Sequence, residues 1–162
     1  MTKAERYARV EAALAAAAPV GREARMSALV DALWDEFGRD PYSWVGFYLL
    51  EPGGRSMVLG PRRDKPACSP LEMHGVCGRC AREGRTIVVD DVHALGADHI
   101  VCDPRNLSEI CVPARDARGA VWAVLDADSE SLAAFDDDDR RGLEKLLEPF
   151  VDESNERDSP FR

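Results

Sequence analysis

Apolar positions recur at helical spacing twice near the start of the chain. Residues 3–18 set Ala and Leu around charged positions, and Pro19 and Gly21 close that segment. Over 22–38, Met26, Leu29, Val30, Leu33, Trp34 and Phe37 share one stripe, which predicts an amphipathic helix that stops at Gly38. The period then changes. "SWVGFYLLE" is aromatic and β-branched and predicts a strand, "PGG" a turn, and "RSMVLGP" the returning strand. "RRDKPACSPLEMH" has two prolines and no period, so it predicts a loop. "GVCGRCAREGRT" predicts a short helix ending at Gly84, and "TIVVD" a strand. "DVHALGADHIVCDPRN" predicts a long loop with room for a helical turn, and loops of that length are often functional. "SEICVPAR", the turn "DARG" and "AVWAVLDAD" predict a second hairpin. A loop and a helix capped by an Asp run follow in "SLAAFDDDDRRGLEKLLEPFVDE", and the polar tail "SNERDSPFR" is expected to fray.

Strands and helices do not alternate in this order, which excludes a parallel doubly wound fold. The pattern predicts an α+β fold: an antiparallel sheet with helices packed on one side and long loops crossing the other. Residues 1–21 read as an N-terminal helical extension, 22–153 as the main domain and 154–162 as a flexible tail. There is no internal repeat.

Composition narrows the partners. The chain has 162 residues, 45% of them hydrophobic, enough for one core without disulfide staples. No run reaches the roughly 18 apolar residues of a membrane span. The Ala-rich N-terminus is interrupted by Glu11 and preceded by Glu5, Arg6 and Arg9, so it reads as a helix rather than a signal peptide. A cytoplasmic protein with no membrane partner is the expectation. The net charge of −9, from 30 acidic and 21 basic residues, speaks against nucleic acid and anionic membranes. "FDDDDRR" reads as a solvated helix start, since acids suit the positive end of a helix dipole; no spaced Asp/Gly pattern makes it a calcium loop.

The cysteines are Cys68, Cys77, Cys80, Cys102 and Cys111. An odd number speaks against a disulfide framework and leaves metal binding, redox chemistry or burial. Cys77 and Cys80 form C-x-x-C, a spacing used by zinc and dithiol sites. Cys68, His74 and Cys102 could complete a zinc set, but no second C-x-x-C exists, and no metal is expected. Cys111 lies between Ile110 and Val112 and reads as a small core residue. Cys68 and Cys102 lie in polar, proline-bearing loops, where burial is less natural.

Asp126 and Asp128 lie two apart at the end of an apolar strand, hence on one face, and Glu109 begins the neighbouring strand. They are either turn residues in water or a pocket for an ammonium group, with carboxyls raised enough to donate a proton. Trp44, Gly46 and Tyr48 also share a face. Gly46 is either a bulge in a core strand or a gap where a ligand approaches the backbone. Trp122 reads as core. His74, His93 and His99 are scattered, and there is no nucleophile elbow, phosphate loop or dinucleotide turn.

"SWVGFYLL", "LGP", "KPAC", "GVCG", "DVHALGADHIVCD", "NLSEICVP" and "VLDADS" come in this order over about residues 20–150. Together they resemble the free methionine-(R)-sulfoxide reductases, GAF-domain enzymes that act on the free amino acid. The resemblance implies a GAF-like sheet with ligand loops on one face. It implies Cys102 as the attacking thiol, Cys68 as the first candidate to resolve the sulfenic acid, and Cys77 as a second candidate or relay. It implies Glu109 and Asp128 as acids in catalysis, and Trp44, Tyr48, Glu109, Asp126 and Asp128 as the substrate pocket. No bound cofactor is implied; thioredoxin, supplied by NADPH through thioredoxin reductase, is the external reductant, and a homodimer is the implied assembly. The Cys68–Cys77 loop departs from the family by one residue and by Pro70 and His74, and Cys80 and Cys111 are extra. A non-catalytic GAF module that binds a small ligand is the alternative.

Overall fold

The computed structural model describes residues 1–151. The reading of 154–162 as a tail lies outside them. Two helices, α1 (Lys3–Ala17) and α2 (Arg22–Phe37), precede β1 (Trp44–Leu50) and β2 (Ser56–Arg63). A two-residue strand β3 (Leu71–Glu72), the helix α3 (Val76–Glu83) and β4 (Ile87–Val89) follow. The second hairpin is β5 (Ser108–Arg115) and β6 (Val121–Ser129), and α4 (Asp137–Leu147) comes after it. The strands form one antiparallel sheet in the order β3-β2-β1-β6-β5-β4. This is the α+β architecture that the hydrophobic pattern predicts. The segment read as a plain loop, 62–74, contributes β3, too short for a period to show.

Period two divides the sheet into two faces. Val45, Phe47, Ile110, Val112, Ala123 and Leu125 face α1, α2 and α4 in the larger core. Trp44, Tyr48, Cys111 and Val124 face the other way, with Cys77 and Cys80 of α3 above them. Of the described α-helices, α3 is the one that sits with the loops. Trp122 is half-buried at the edge of the larger core, with the Arg22 guanidinium 4.0 Å from its ring centroid.

The Asp run does begin a helix. Asp136 caps α4 by accepting from the amides of Asp138 and Asp139, and Asp139 returns a bond to the amide of Asp136. One of its acids is not solvated, however. Asp139 is fully buried, accepts from the Tyr7 hydroxyl at 2.8 Å and pairs with Lys3. Tyr7 and Tyr42 share a further hydroxyl–hydroxyl bond of 2.8 Å. Gly142 lets the Tyr7 ring press on α4, since a Cβ there would come within 2.4 Å of it. The helix of the 1–21 segment is thereby locked into the main core.

Asp139→Ala would take away the buried carboxylate that accepts from the Tyr7 hydroxyl, leave Lys3 with only the Ala134 carbonyl and Asp136, and remove half of the α4 cap. It is expected to cost about 2–4 kcal/mol of stability. Urea unfolding should show a lower midpoint at an unchanged slope; a loss under about 0.5 kcal/mol would mean that the network contributes nothing.

Candidate active site

The site is built by the register of three strands. Across β5 and β6, Glu109 stands opposite Asp128 and Cys111 opposite Asp126. Across β6 and β1, Asp126 stands opposite Gly46 and Asp128 opposite Trp44. Glu109, Asp126 and Asp128 therefore meet on the loop-side face, with one oxygen of each within 4.8 Å of the others. Glu109 and Asp126 are only 8% and 6% exposed. These are not strand-end residues in water.

Burial raises the proton affinity of all three carboxyls. Glu109 is pushed up to about 7. Asp126 is raised further by Asp128, and Asp128 by Glu109, while Lys65 pulls Asp128 partly back. Lys65 itself is bonded to Asp103.

Trp44 and Tyr48 stand side by side, ring centroids 5.9 Å apart, and both line the pocket with the acids. Their polar ends hold the loop between β2 and α3. The Trp44 indole donates to the Lys65 carbonyl at 3.0 Å, and the Tyr48 hydroxyl donates to the Cys68 carbonyl at 2.9 Å. Of the two readings of Gly46, the bulge holds, with the β1–β2 register shifting between Gly46 and Tyr48, and the gap does not, because a Cβ there would lie 2.5 Å from the Trp44 ring. The pocket lies beyond the indole, between it and the loops.

Those loops carry the thiols. Cys68 and Cys102 are joined in a disulfide, with their Cα atoms 5.5 Å apart. Cys102 lines the pocket and Cys68 does not. The Cys102 loop is pinned by Ser43, which donates to Asn106 at 2.8 Å. Asp103, bonded first by Arg105 and then by Lys65, is held well below the usual carboxylate range. Cys77, Cys80 and Cys111 are free and buried. Cys77 also lines the pocket, at the first turn of α3. Its Sγ lies 3.5 Å from that of Cys111, whose thiol is pushed up by the Cys77 contact and then by burial.

Every residue proposed for the pocket from the sequence lies on this one face or on the loops over it. Lys65, Asp103 and Asn106 also line the pocket and carry no sequence signal, because their place depends on two loops that meet over the sheet. Cys111, read as core, is buried but touches Cys77 and lies 3.6 Å from Asp126. The three histidines stay apart from the acids: His74 pairs with Glu72 and His93 with Asp91, and His99 lines the outer part of the pocket.

Helices on one face of such a sheet, with a loop-covered polar pocket on the other, place the chain in a class of α+β domains built around a pocket. The chain belongs to the GAF domain family, which it matches over residues 21–150. It is 38% identical over 106 residues to the free methionine-R-sulfoxide reductase of Escherichia coli, a match covering 65% of this chain and 62% of that one. To the free methionine-R-sulfoxide reductase of Saccharomyces cerevisiae it is 37% identical over 106 residues, covering 64% and 58%. The chain thus spans less than two thirds of the length of these relatives. The solved structure of free methionine-R-sulfoxide reductase from Neisseria meningitidis, in complex with its substrate, superposes with a TM-score of 0.84 at 35% identity. That superposition covers 93% of this chain and 89% of the other.

A carboxyl raised by folding stabilises the protein fully below its unfolded pKa and loses that contribution as pH climbs through the folded value. For Glu109 the window runs from 4.5 to about 7. Glu109→Gln has no proton to lose. It is expected to match the parent near about pH 4 and to exceed its stability by about 1–3 kcal/mol near about pH 8. Urea unfolding at both pH values checks this, and an equal difference at both would contradict the raised carboxyl.

Proposed function

We propose that this chain reduces free L-methionine (R)-sulfoxide to methionine, using Cys102 as nucleophile and Cys68 as resolving thiol. The observation that carries the reading is the placement of Cys102, in disulfide with Cys68, in the same pocket as three clustered carboxyls of raised proton affinity, Glu109 and Asp126 buried and Asp128 half-buried. Relatives that bear the reductase name support it.

The free amino acid is a zwitterion, and the pocket has a counterpart for each charge. The acid face of β5 and β6 offers negative charge to the ammonium. The first turn of α3, where Gly75, Val76 and Cys77 line the same pocket, offers unpaired backbone N–H groups to the carboxylate. Trp44 and Tyr48 give the S-methyl group aromatic surface. The Cys102 thiolate then attacks the sulfoxide sulfur while a neutral carboxyl, Glu109 or Asp128, protonates the sulfoxide oxygen, which passes to the Cys102 sulfur as its bond to the methionine sulfur breaks. Methionine leaves and Cys102 is left as a sulfenic acid. The Cys68 thiol attacks it, water departs, and the Cys68–Cys102 disulfide forms. Cys77 is the second candidate for resolution. An external dithiol, thioredoxin fed by NADPH through thioredoxin reductase, returns the pair to thiols. We further propose a cytoplasmic homodimer with no bound cofactor, active in repair after oxidative stress.

The competing reading is a non-catalytic GAF module that binds a free amino acid in the same pocket. NADPH consumption in the presence of thioredoxin, thioredoxin reductase and free methionine sulfoxide separates the two. The reductase reading expects turnover in the parent and none in a folded Cys102→Ser. Cys68→Ser should release one methionine per chain and then stop, because the sulfenic acid has lost its partner. A Cys68→Ser variant that cycles at the parent rate would remove Cys68 from the mechanism.

The acid face sets the selectivity. An N-acetylated or peptide-bound sulfoxide brings no ammonium, so it gains no ion pair by ionising the acid face. A buried ion pair of this kind is worth roughly 3 kcal/mol, about 10²-fold. Turnover on free, acetylated and dipeptide sulfoxides should fall by at least that factor from the first to the others. Equal rates on all three would mean an open site indifferent to the amine.

A further inference from the structure

We propose that Cys77, Cys111 and Asp126 form a site for a thiophilic divalent cation of the zinc class, at the inner end of the pocket. The bound cation would close the pocket to its amine substrate.

The three donors come from three elements that the fold holds in fixed relation. Cys111 and Asp126 are cross-strand partners on β5 and β6, and α3 sets Cys77 above them. All three are buried, and their donor atoms lie within 4.8 Å of one another. The Cys77 and Cys111 sulfurs are 3.5 Å apart, and Cys111 Sγ is 3.6 Å from Asp126 Oδ1. A tetrahedral ion with Zn–S and Zn–O bonds of about 2.3 and 2.0 Å needs S···S and S···O edges of about 3.8 and 3.5 Å. Both measured edges already have that length to within a few tenths of an ångström. The third edge, from Cys77 Sγ to an Asp126 oxygen, lies within 4.8 Å, so the donors need close by an ångström or so at most. The fourth position has a donor at hand in Glu109, whose Oε2 is 4.0 Å from Cys111 Sγ.

Two thiolates and a carboxylate suit zinc or a softer ion, and exclude magnesium and calcium, which take oxygen. The only Lys or Arg among the residues lining this pocket, Lys65, is bonded to Asp103. The site is not the C-x-x-C motif: Cys80, the second cysteine of that motif, is not part of the cluster. Occupancy would draw the charge of Asp126 to the ion and away from the substrate ammonium. That inhibitory part rests on the proposed function; the binding part does not.

The test uses the full chain with its Cys68–Cys102 disulfide intact, under nitrogen, so that those two thiols cannot bind metal. Co²⁺ is the probe. One Co²⁺ per chain is expected, with the visible spectrum of tetrahedral thiolate coordination, displaced by Zn²⁺. Cys111→Val should weaken Co²⁺ binding by at least about 100-fold, since loss of an outer-shell partner alone costs 10–100-fold. Cys111→Ser serves if the valine variant does not fold, and Cys80→Ala should bind like the parent. Absence of the thiolate spectrum would overturn the site, as would equal affinity in the Cys111 variant. In the reductase assay Zn²⁺ should compete with methionine sulfoxide, and Cys111→Ser should turn over while resisting Zn²⁺ at least tenfold better. Equal inhibition of parent and variant would place the cation on Cys68 and Cys102 and overturn the inhibitory proposal. A chain without reductase activity would still give the Co²⁺ result, so the two readings fail separately.

Discussion

The loop side of the sheet depends on three carboxyl groups held together away from water. Their clustering is a consequence of register. Glu109 and Asp128 are opposed across β5 and β6, and Asp126 lies two pairs further along, opposite Cys111. A slip of one residue would turn the acids into the helix-side core, and the alternation of Ile110, Val112, Ala123, Leu125 and Ala127 forbids it by filling that core with apolar groups. The packed face thus fixes the reactive one. Gathering the acids away from water raises their affinity for protons, and under the proposed function a neutral carboxyl is the group that would protonate the sulfoxide oxygen.

The same strands position the chemistry above them. Trp44 and Tyr48 present rings to the pocket and tie their polar ends to the carbonyls of Lys65 and Cys68. Lys65 reaches on to Asp103, next to Cys102 in the facing loop. Each such bond contributes about 1 kcal/mol, yet together they bring two loops separated by 34 residues to disulfide distance. The aromatic residues serve twice, as walls of the pocket and as clamps on the loop that carries Cys68.

Much of this was legible in the sequence where a period carries the information. The alternation in "SWVGFYLL" and "VLDADS" sorts Trp44, Tyr48, Asp126 and Asp128 onto their faces, helical spacing marks α1 and α2, and the capping Asp run marks α4. What stands over a face has no such signature. Cys111 reads as core because its neighbours are apolar; only the packing of α3 brings Cys77 to it. The opening imagined over Gly46 is occupied by a ring two residues away on the same strand, a contact that spacing does not reveal. The burial of Asp139 within an apparently solvated Asp run depends on α1, more than 130 positions earlier. The pairing of Cys68 with Cys102 came from likeness to a family, not from the spacing of five cysteines.

The central claim is that buried, proton-holding acids recognise a free amine. Calorimetry of methionine (R)-sulfoxide binding to Cys102→Ser, repeated in buffers of different ionisation enthalpy near about pH 6.5, measures it directly. An incoming ammonium should ionise the carboxyl cluster, so binding should release protons, while the N-acetylated sulfoxide should neither bind comparably nor release any. Equal binding of both ligands without proton exchange would contradict the account.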